Sequence, residues 1–114
     1  MSKLTIAIPY YKDATYLRIA IESALAQEAP ANSFCLLIID DGERGEAQGV
    51  VDAVCPGDER VRCLENETNL GMVGNWNRCL DETTSSLVSL LHADDALEPN
   101  YVATQLRIAA ANPE

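Results

Sequence analysis

The sequence predicts an α/β domain built on a mostly parallel sheet with helices on both faces. Three observations predict it. Four short apolar, β-branched runs alternate with four stretches of helical spacing, which makes repeated βαβ units. One run, Phe34-Cys35-Leu36-Leu37-Ile38-Ile39, is apolar at every position, as a strand covered on both faces must be. Polar residues then gather where the runs stop. At 114 residues the chain has room for one small core and not for two of ordinary size.

The elements follow in order. Leu4-Thr5-Ile6-Ala7-Ile8 reads as the first strand, ending at Pro9, which has no N–H for a ladder. Leu17, Ala20, Ile21, Ala24 and Leu25 then recur at helical spacing with Arg18, Glu22 and Gln27 between them, and Asp13 or Thr15 suits the cap. A Pro/Ala/Asn/Ser loop at 30–33 leads into the second strand, which stops at Asp40-Asp41-Gly42. Ala47, Val50, Val51 and Val54 predict a short second helix closed by Pro56-Gly57. Val61-Arg62-Cys63-Leu64 is a short third strand, followed by a polar turn through Asn66 to Gly71. A third helix is expected to turn Met72 or Val73, Trp76 and Leu80 inward, which makes Trp76 a core residue rather than a sugar platform. Ser86 to Leu91 is the fourth strand, broken by His92-Ala93-Asp94-Asp95. Pro99 opens the last helix, with Tyr101, Val102, Gln105, Leu106 and Ala109 inward. That helix finishes where another strand is expected, so the chain reads as a piece cut from a longer protein.

Composition excludes several classes of function. Eighteen acidic against eight basic residues give a formal charge of −10, spread over both halves, so the long-range field repels nucleic acid. No apolar run approaches the ~18 residues of a membrane-spanning helix, and the N-terminus has no small-residue cleavage site. A cytoplasmic location is therefore expected. Cys35, Cys55, Cys63 and Cys79 are widely spaced, form no C-x-x-C pair and have only His92 as an imidazole companion, which argues against a zinc site. Cys35 and Cys63 lie inside apolar strands, where a reduced cysteine serves as a small hydrophobe.

In an open parallel sheet, ligands bind beyond the carboxyl ends of the strands, where the winding reverses. Three of the four strands end there in unusual residues: Pro9-Tyr10-Tyr11, Asp40-Asp41 and His92-Ala93-Asp94-Asp95. Asp-Asp-Gly is also an ordinary turn, and Asp94-Asp95 before Pro99 suits a helix cap. Both acidic pairs on one rim favour a site. Four carboxylates around one cleft repel one another unless a cation sits among them. Mg²⁺ or Mn²⁺ takes one or two carboxylates and fills its remaining positions with water and ligand phosphates. No Gly-rich phosphate loop is present to replace it.

Five segments carry a resemblance. Leu4 to Tyr11, Ser23-Ala24-Leu25-Ala26-Gln27, Ile38-Ile39-Asp40-Asp41-Gly42, Asn69-Leu70-Gly71 with Asn75-Trp76-Asn77, and Leu90 to Pro99 resemble, in order and spacing, the family 2 glycosyltransferases of the GT-A fold. The match runs from residue 4 onward. It implies a Rossmann-like three-layer α/β/α domain, C-terminally truncated, with residues 1–114 forming the N-terminal nucleotide-binding half. It also implies metal-dependent transfer of a sugar from a nucleotide-diphosphate sugar, UDP-linked by analogy, to a glycan or other acceptor hydroxyl, usually with inversion. Pro9 and Tyr11 then look like the segment lining the nucleobase, Asp41 like the acceptor for a base N–H, and Asp40 like the support of that turn. Asn69, Gly71 and Asn77 match the stretch near the nucleotide. Asp94 and Asp95 match the D-x-D region and become the expected ligands of Mn²⁺ or Mg²⁺, with Asp94 also on the nucleotide.

The sequence departs from the family pattern at four places. His92 stands at the usual first Asp of the D-x-D, where it contacts ribose, binds metal or packs under the loop. Lys12 and Glu43 replace the usual Asn and Ser/Thr, and Trp76 replaces an Arg, removing one phosphate-facing charge. The family's general base comes from a later part of the domain, so no residue of 1–114 is assigned that role and the chain alone is expected to bind donor without turnover. An acidic receiver domain needs acids after the first strand and a lone Asp after the third; Pro9-Tyr10-Tyr11 and Glu65-Asn66 stand there instead. A degenerate nucleotide-binding or interaction module is the alternative reading. An exposed sheet edge makes self-association an expectation of truncation.

Overall fold

The computed structural model describes residues 3–12, 14–42, 45–92 and 95–111. Strands and helices alternate: β1 (Leu4–Tyr10), α1 (Ala14–Leu25), β2 (Phe34–Asp40), α2 (Glu46–Val54), β3 (Val61–Glu65), α3 (Gly71–Glu82), β4 (Leu87–Leu90) and α4 (Tyr101–Ala111). The four strands form one sheet in the order β3-β2-β1-β4, and every pairing is parallel. The chain winds outward from β1 through β2 to β3, then returns to place β4 on the other side of β1. The reversal lies between β1 and β4, and the register pairs Tyr10 with Asp40 and Asp40 with Glu65, so the strand ends form one rim.

Alternation along the strands divides the interior into two unequal layers. Leu4, Ile6, Ile8 and Tyr10 of β1 and Phe34, Leu36 and Ile38 of β2 face the larger layer. There they meet Leu17, Ala20, Ile21 and Ala24 of α1, Ala47 and Val51 of α2 and Val102 of α4. Burying each large aliphatic side chain contributes about 1.5–3 kcal/mol, so this layer carries most of the hydrophobic stabilisation. The opposite face is thin: Ala7, Leu37 and Ile39 pack against Cys79 of α3, with Leu64 beside them.

Two boundaries differ from expectation. β1 continues through Pro9 to Tyr10. Leu91 N–H donates to Ala7 on the β4 side and Asp41 N–H to Tyr10 on the β2 side, so Pro9 faces the β4 side beyond the last pairing, Ala7 with Leu90. Its missing N–H therefore removes no ladder bond. The last helix begins at Tyr101, two residues after Pro99, whose carbonyl accepts from Glu28 N–H at 2.8 Å and ties the loop to the end of α1.

A third difference concerns the face of α3. Met72, Val73 and Leu80 are exposed, at 65, 67 and 47%, while Asn75 and Cys79 are buried. Trp76 is half-buried rather than central to a core. The rotation follows from the helix start, which is pinned by Asp41, and from the small side chains opposite it. Cys79 fits over Ala7, and Asn75 finds polar partners at the rim.

All four cysteines are free thiols. Burial pushes Cys79 up to about 11, and burial together with the nearby Asp40 pushes Cys63 up to about 11. No helix among the described residues is long and apolar enough to cross a membrane.

Candidate nucleotide site

A cavity of about 500 Å³ opens at the strand rim, beside the winding reversal. Pro9, Tyr10, Tyr11 and Lys12 line it from the end of β1, and Asp41 from the end of β2. Asn69, Gly71, Met72, Asn75 and Trp76 line it from the start of α3, and His92 from the loop after β4.

Asp40 and Asp41 are neighbours in sequence with opposite roles. Successive strand residues point to opposite faces, so the two carboxylates serve different helices. Asp40, 1% exposed, accepts from Ala47 N–H at 3.0 Å and caps α2, whose own cap residue, Gly45, has no side chain. Asp41, 3% exposed, accepts at Oδ1 from Leu70 N–H at 2.7 Å and from Asn66 Nδ2 at 2.8 Å, and at Oδ2 from Gly71 N–H at 3.0 Å. Each charge meets a helix N-terminus, where unpaired N–H groups and the helix dipole favour an anion. The expectation of four mutually repelling carboxylates is corrected for this pair: Asp40 lies outside the cavity lining, and Asp41 is satisfied by the chain itself.

The loop around Asp41 is held on both sides. Asn69 Nδ2 donates to the Asp41 carbonyl at 3.1 Å. Asn66 Nδ2 also donates to Asn75 Oδ1 at 2.9 Å, Asn75 Nδ2 to the Ile39 carbonyl at 3.1 Å, and Arg78 to Asn66 Oδ1. Gly71 adopts φ +79°, a left-handed conformation that an L side chain resists. Leu70, at φ −91° and ψ −11°, turns its own N–H and that of Gly71 onto one carboxylate, and the bend at Gly71 then leads the chain into α3.

Of the residues expected at the site, Pro9, Tyr11, Asp41, Asn69 and Gly71 are brought together around the cavity. Asp40 supports the turn from the other side of the sheet. Asn77 is exposed on α3 and outside the cavity lining. Asp95 is exposed, and its N–H donates to the His92 carbonyl at 2.9 Å; Asp94 lies outside the described residues. Among the described residues no group of three His, Cys, Asp or Glu is placed to hold a metal ion.

Trp76 corrects the expectation of a core residue. Its ring meets the His92 imidazole at a centroid distance of 5.5 Å and a tilt of 58°, and the two form one wall of the cavity. Lys12, Met72 and Asn75 are lining residues that sequence reading did not assign to the site, and Asn66 supports it from behind. Asn75 carried a signal: an amide inside a helix is unfavourable unless its side chain has a partner, and here it has two.

Comparison with known proteins agrees with this architecture. The family model "Glycosyl transferase family 2" matches residues 5–114. A teichoic acid poly(glycerol phosphate) polymerase of Staphylococcus epidermidis is 31% identical over 98 residues, 85% of this chain and 13% of its own length. S. aureus TarS, solved in complex with UDP-GlcNAc, superposes with a TM-score of 0.86 over 96% of this chain and 31% of its own, at 18% identity. The mannosyltransferase PcManGT from Pyrobaculum calidifontis, solved with GDP-Man and Mn²⁺, gives a TM-score of 0.85 over 95% of this chain and 32% of its own, at 17% identity. These likenesses establish the GT-A type of α/β fold. The chain spans 13 to 31% of the length of the first curated relatives it matches. With a family match over nearly every residue, the chain belongs to glycosyl transferase family 2.

Proposed function

We propose that residues 1–114 form the N-terminal, donor-binding half of a glycosyltransferase domain that moves a sugar from a nucleoside diphosphate to an acceptor hydroxyl with inversion. The observation that carries this reading is the rim cavity with a buried, chain-anchored carboxylate, Asp41, in its lining. A UDP-linked donor is favoured by the UDP-GlcNAc complex of TarS.

Asp41 receives the nucleobase, Pro9 and Tyr11 flank it, and Asn69 holds the Asp41 backbone in place. Asp94 and Asp95 would hold a divalent cation. Their hard carboxylate oxygens suit Mn²⁺ or Mg²⁺, and Asp95 is free of a helix-capping role of the kind that occupies Asp40 and Asp41. When held there, such an ion would supply positive charge against the charge that develops on the departing diphosphate. PcManGT, solved with Mn²⁺, favours that requirement. Lys12 adds a cation to the cavity lining.

Inverting transfer also needs a base within hydrogen-bond reach of the acceptor hydroxyl. No described lining residue is assigned that role, and residues 1–114 alone bind donor without turning it over. Four free thiols accord with a cytoplasmic domain. The open β4 edge, where Val88 and Leu90 are exposed, favours self-association of the isolated piece, measurable by light scattering.

Titration calorimetry with UDP, with and without Mn²⁺, tests the reading, together with a transfer assay on UDP-GlcNAc. The expected result is metal-strengthened binding and no transfer. Absence of nucleotide binding under both conditions overturns it.

A further inference from the structure

Ser23, in the last turn of α1, and Gln27, just beyond it, line no part of the rim cavity, yet they hold the segment that leads away from it. Ser23 Oγ donates to the Ala20 carbonyl at 2.8 Å and accepts from Leu97 N–H at 3.0 Å. The buried Gln27 donates through Nε2 to the Ser23 carbonyl at 3.2 Å and to the Glu98 carbonyl at 2.7 Å. Its Oε1 accepts from Val102 N–H at 2.8 Å. The amide has one workable orientation, because a flip would set its oxygen against two carbonyls and its nitrogen against an N–H.

Residues 95–98 belong to no strand or helix, and Asp95, Ala96 and Glu98 are exposed. Upstream of them, Leu91 N–H donates to the Ala7 carbonyl at 2.8 Å, and at Leu97 the bond to Ser23 follows. The stretch that carries His92 and Asp95 is thus fastened at both ends. His92 lines the cavity, and its carbonyl accepts from Asp95 N–H between the two fastenings. Docking of α4 does not require the second one: Val102 and Leu106 already pack the helix on the core, and Leu97 and Glu98 lie ahead of its first residue. A ligand that needs an exposed loop in one place must order it first, and a loop already held binds more tightly.

We infer that Ser23 and Gln27 are positioning residues for the acidic loop after β4. From the end of α1 they fix where Asp95 stands relative to the rim cavity, and so set how strongly a divalent cation and a nucleoside diphosphate bind there together. This inference rests on the reading of the cavity as a nucleotide site with Asp95 among the ligands of the ion.

Calorimetry with UDP, in EDTA and in a fixed excess of Mn²⁺, on the 114-residue chain and its variants tests it. Gln27→Ala is expected to cut the gain in UDP affinity brought by Mn²⁺ about tenfold and to leave affinity in EDTA unchanged. Ser23→Ala should reduce that gain less, and Ser23→Thr, which keeps the hydroxyl, should restore it. Equal weakening with and without Mn²⁺, or no change in either, overturns the inference and assigns these bonds to the docking of α4 alone. If circular dichroism shows the variants to be unfolded, amide exchange in the unaltered chain decides. Coupling is reciprocal, so UDP with Mn²⁺ should slow exchange at Leu97 and Val102 more than UDP alone, and equal protection overturns the inference. UDP binding that Mn²⁺ does not strengthen in the unaltered chain overturns the inference and the assigned ion while the nucleotide site stands. No UDP binding under either condition overturns the underlying reading.

Discussion

Gly71 N–H donates to Asp41 Oδ2 at 3.0 Å, joining the end of β2 to the first residue of α3 across thirty positions of sequence. The residue before it, Leu70, has no side chain able to cap the helix, and its own N–H goes to Asp41 Oδ1. The carboxylate that lines the cavity is therefore also the cap of α3, so site and fold share one group. Asp41→Ala should lower stability by about 1–3 kcal/mol through the lost cap and the stranded Asn66 amide. It should also abolish measurable UDP binding. Urea unfolding and calorimetry on the same sample check both, and unchanged affinity in a folded variant would count against the assigned role.

Gly71 and Gly49 make a matched pair. Gly71 is held at φ +79°, so Gly71→Ala should destabilise by about 1–2 kcal/mol even though no heavy atom lies within 4 Å of the new methyl. Gly49 sits inside α2 with the same open space, and Gly49→Ala should stabilise by about 0.5–1 kcal/mol. Thermal or urea unfolding should show opposite signs. The same sign for both would mean that the backbone at Gly71 is not left-handed.

Stability should decline reversibly in alkali. Burial raises the thiols of Cys63 and Cys79 to about 11 from an ordinary 9.0. Between those values the unfolded chain has lost protons that the folded chain retains, so the contribution is complete below about pH 9 and disappears as pH rises toward 11. For fully buried Cys79 the loss is about 2–3 kcal/mol. Urea midpoints under reducing conditions at pH 8 and 11 measure it. Cys79→Ala should flatten the slope, and an identical slope in that variant would refute the assignment.

Trp76 is the chain's one tryptophan and stands on the cavity wall against His92. A ligand in the cavity changes the indole's surroundings, so UDP should produce a saturable fluorescence change with the midpoint found by calorimetry. His92→Ala should change the unliganded emission by removing the ring contact. A signal indifferent to both would place the indole away from the site.

Much of this protein was legible in its sequence because hydrophobic period reports local structure directly. The all-apolar run of Phe34 to Ile39 announced a strand covered on both faces, the spacing of Leu17, Ala20, Ile21 and Ala24 announced α1, and the order of strands and helices announced a parallel sheet whose ends gather polar residues. The family resemblance implies a place near the nucleotide for Pro9, Tyr11, Asp41, Asn69 and Gly71, and all five line the rim cavity.

Tertiary structure alone decided which face of α3 is buried and what each aspartate does. Met72, Val73 and Leu80 satisfy an apolar pattern, yet the Asp41 cap fixes the helix's rotation and the shallow surface of Ala7, Leu37 and Ile39 accepts Asn75 and Cys79 instead. Asp40 and Asp41 are chemically identical and adjacent, and only the pleat sends one to α2 and the other to α3 and the cavity. Period and composition are local properties that each segment carries with it. The direction of a carboxylate and the phase of a helix depend on partners thirty residues away, and they exist only once the sheet has brought those partners together.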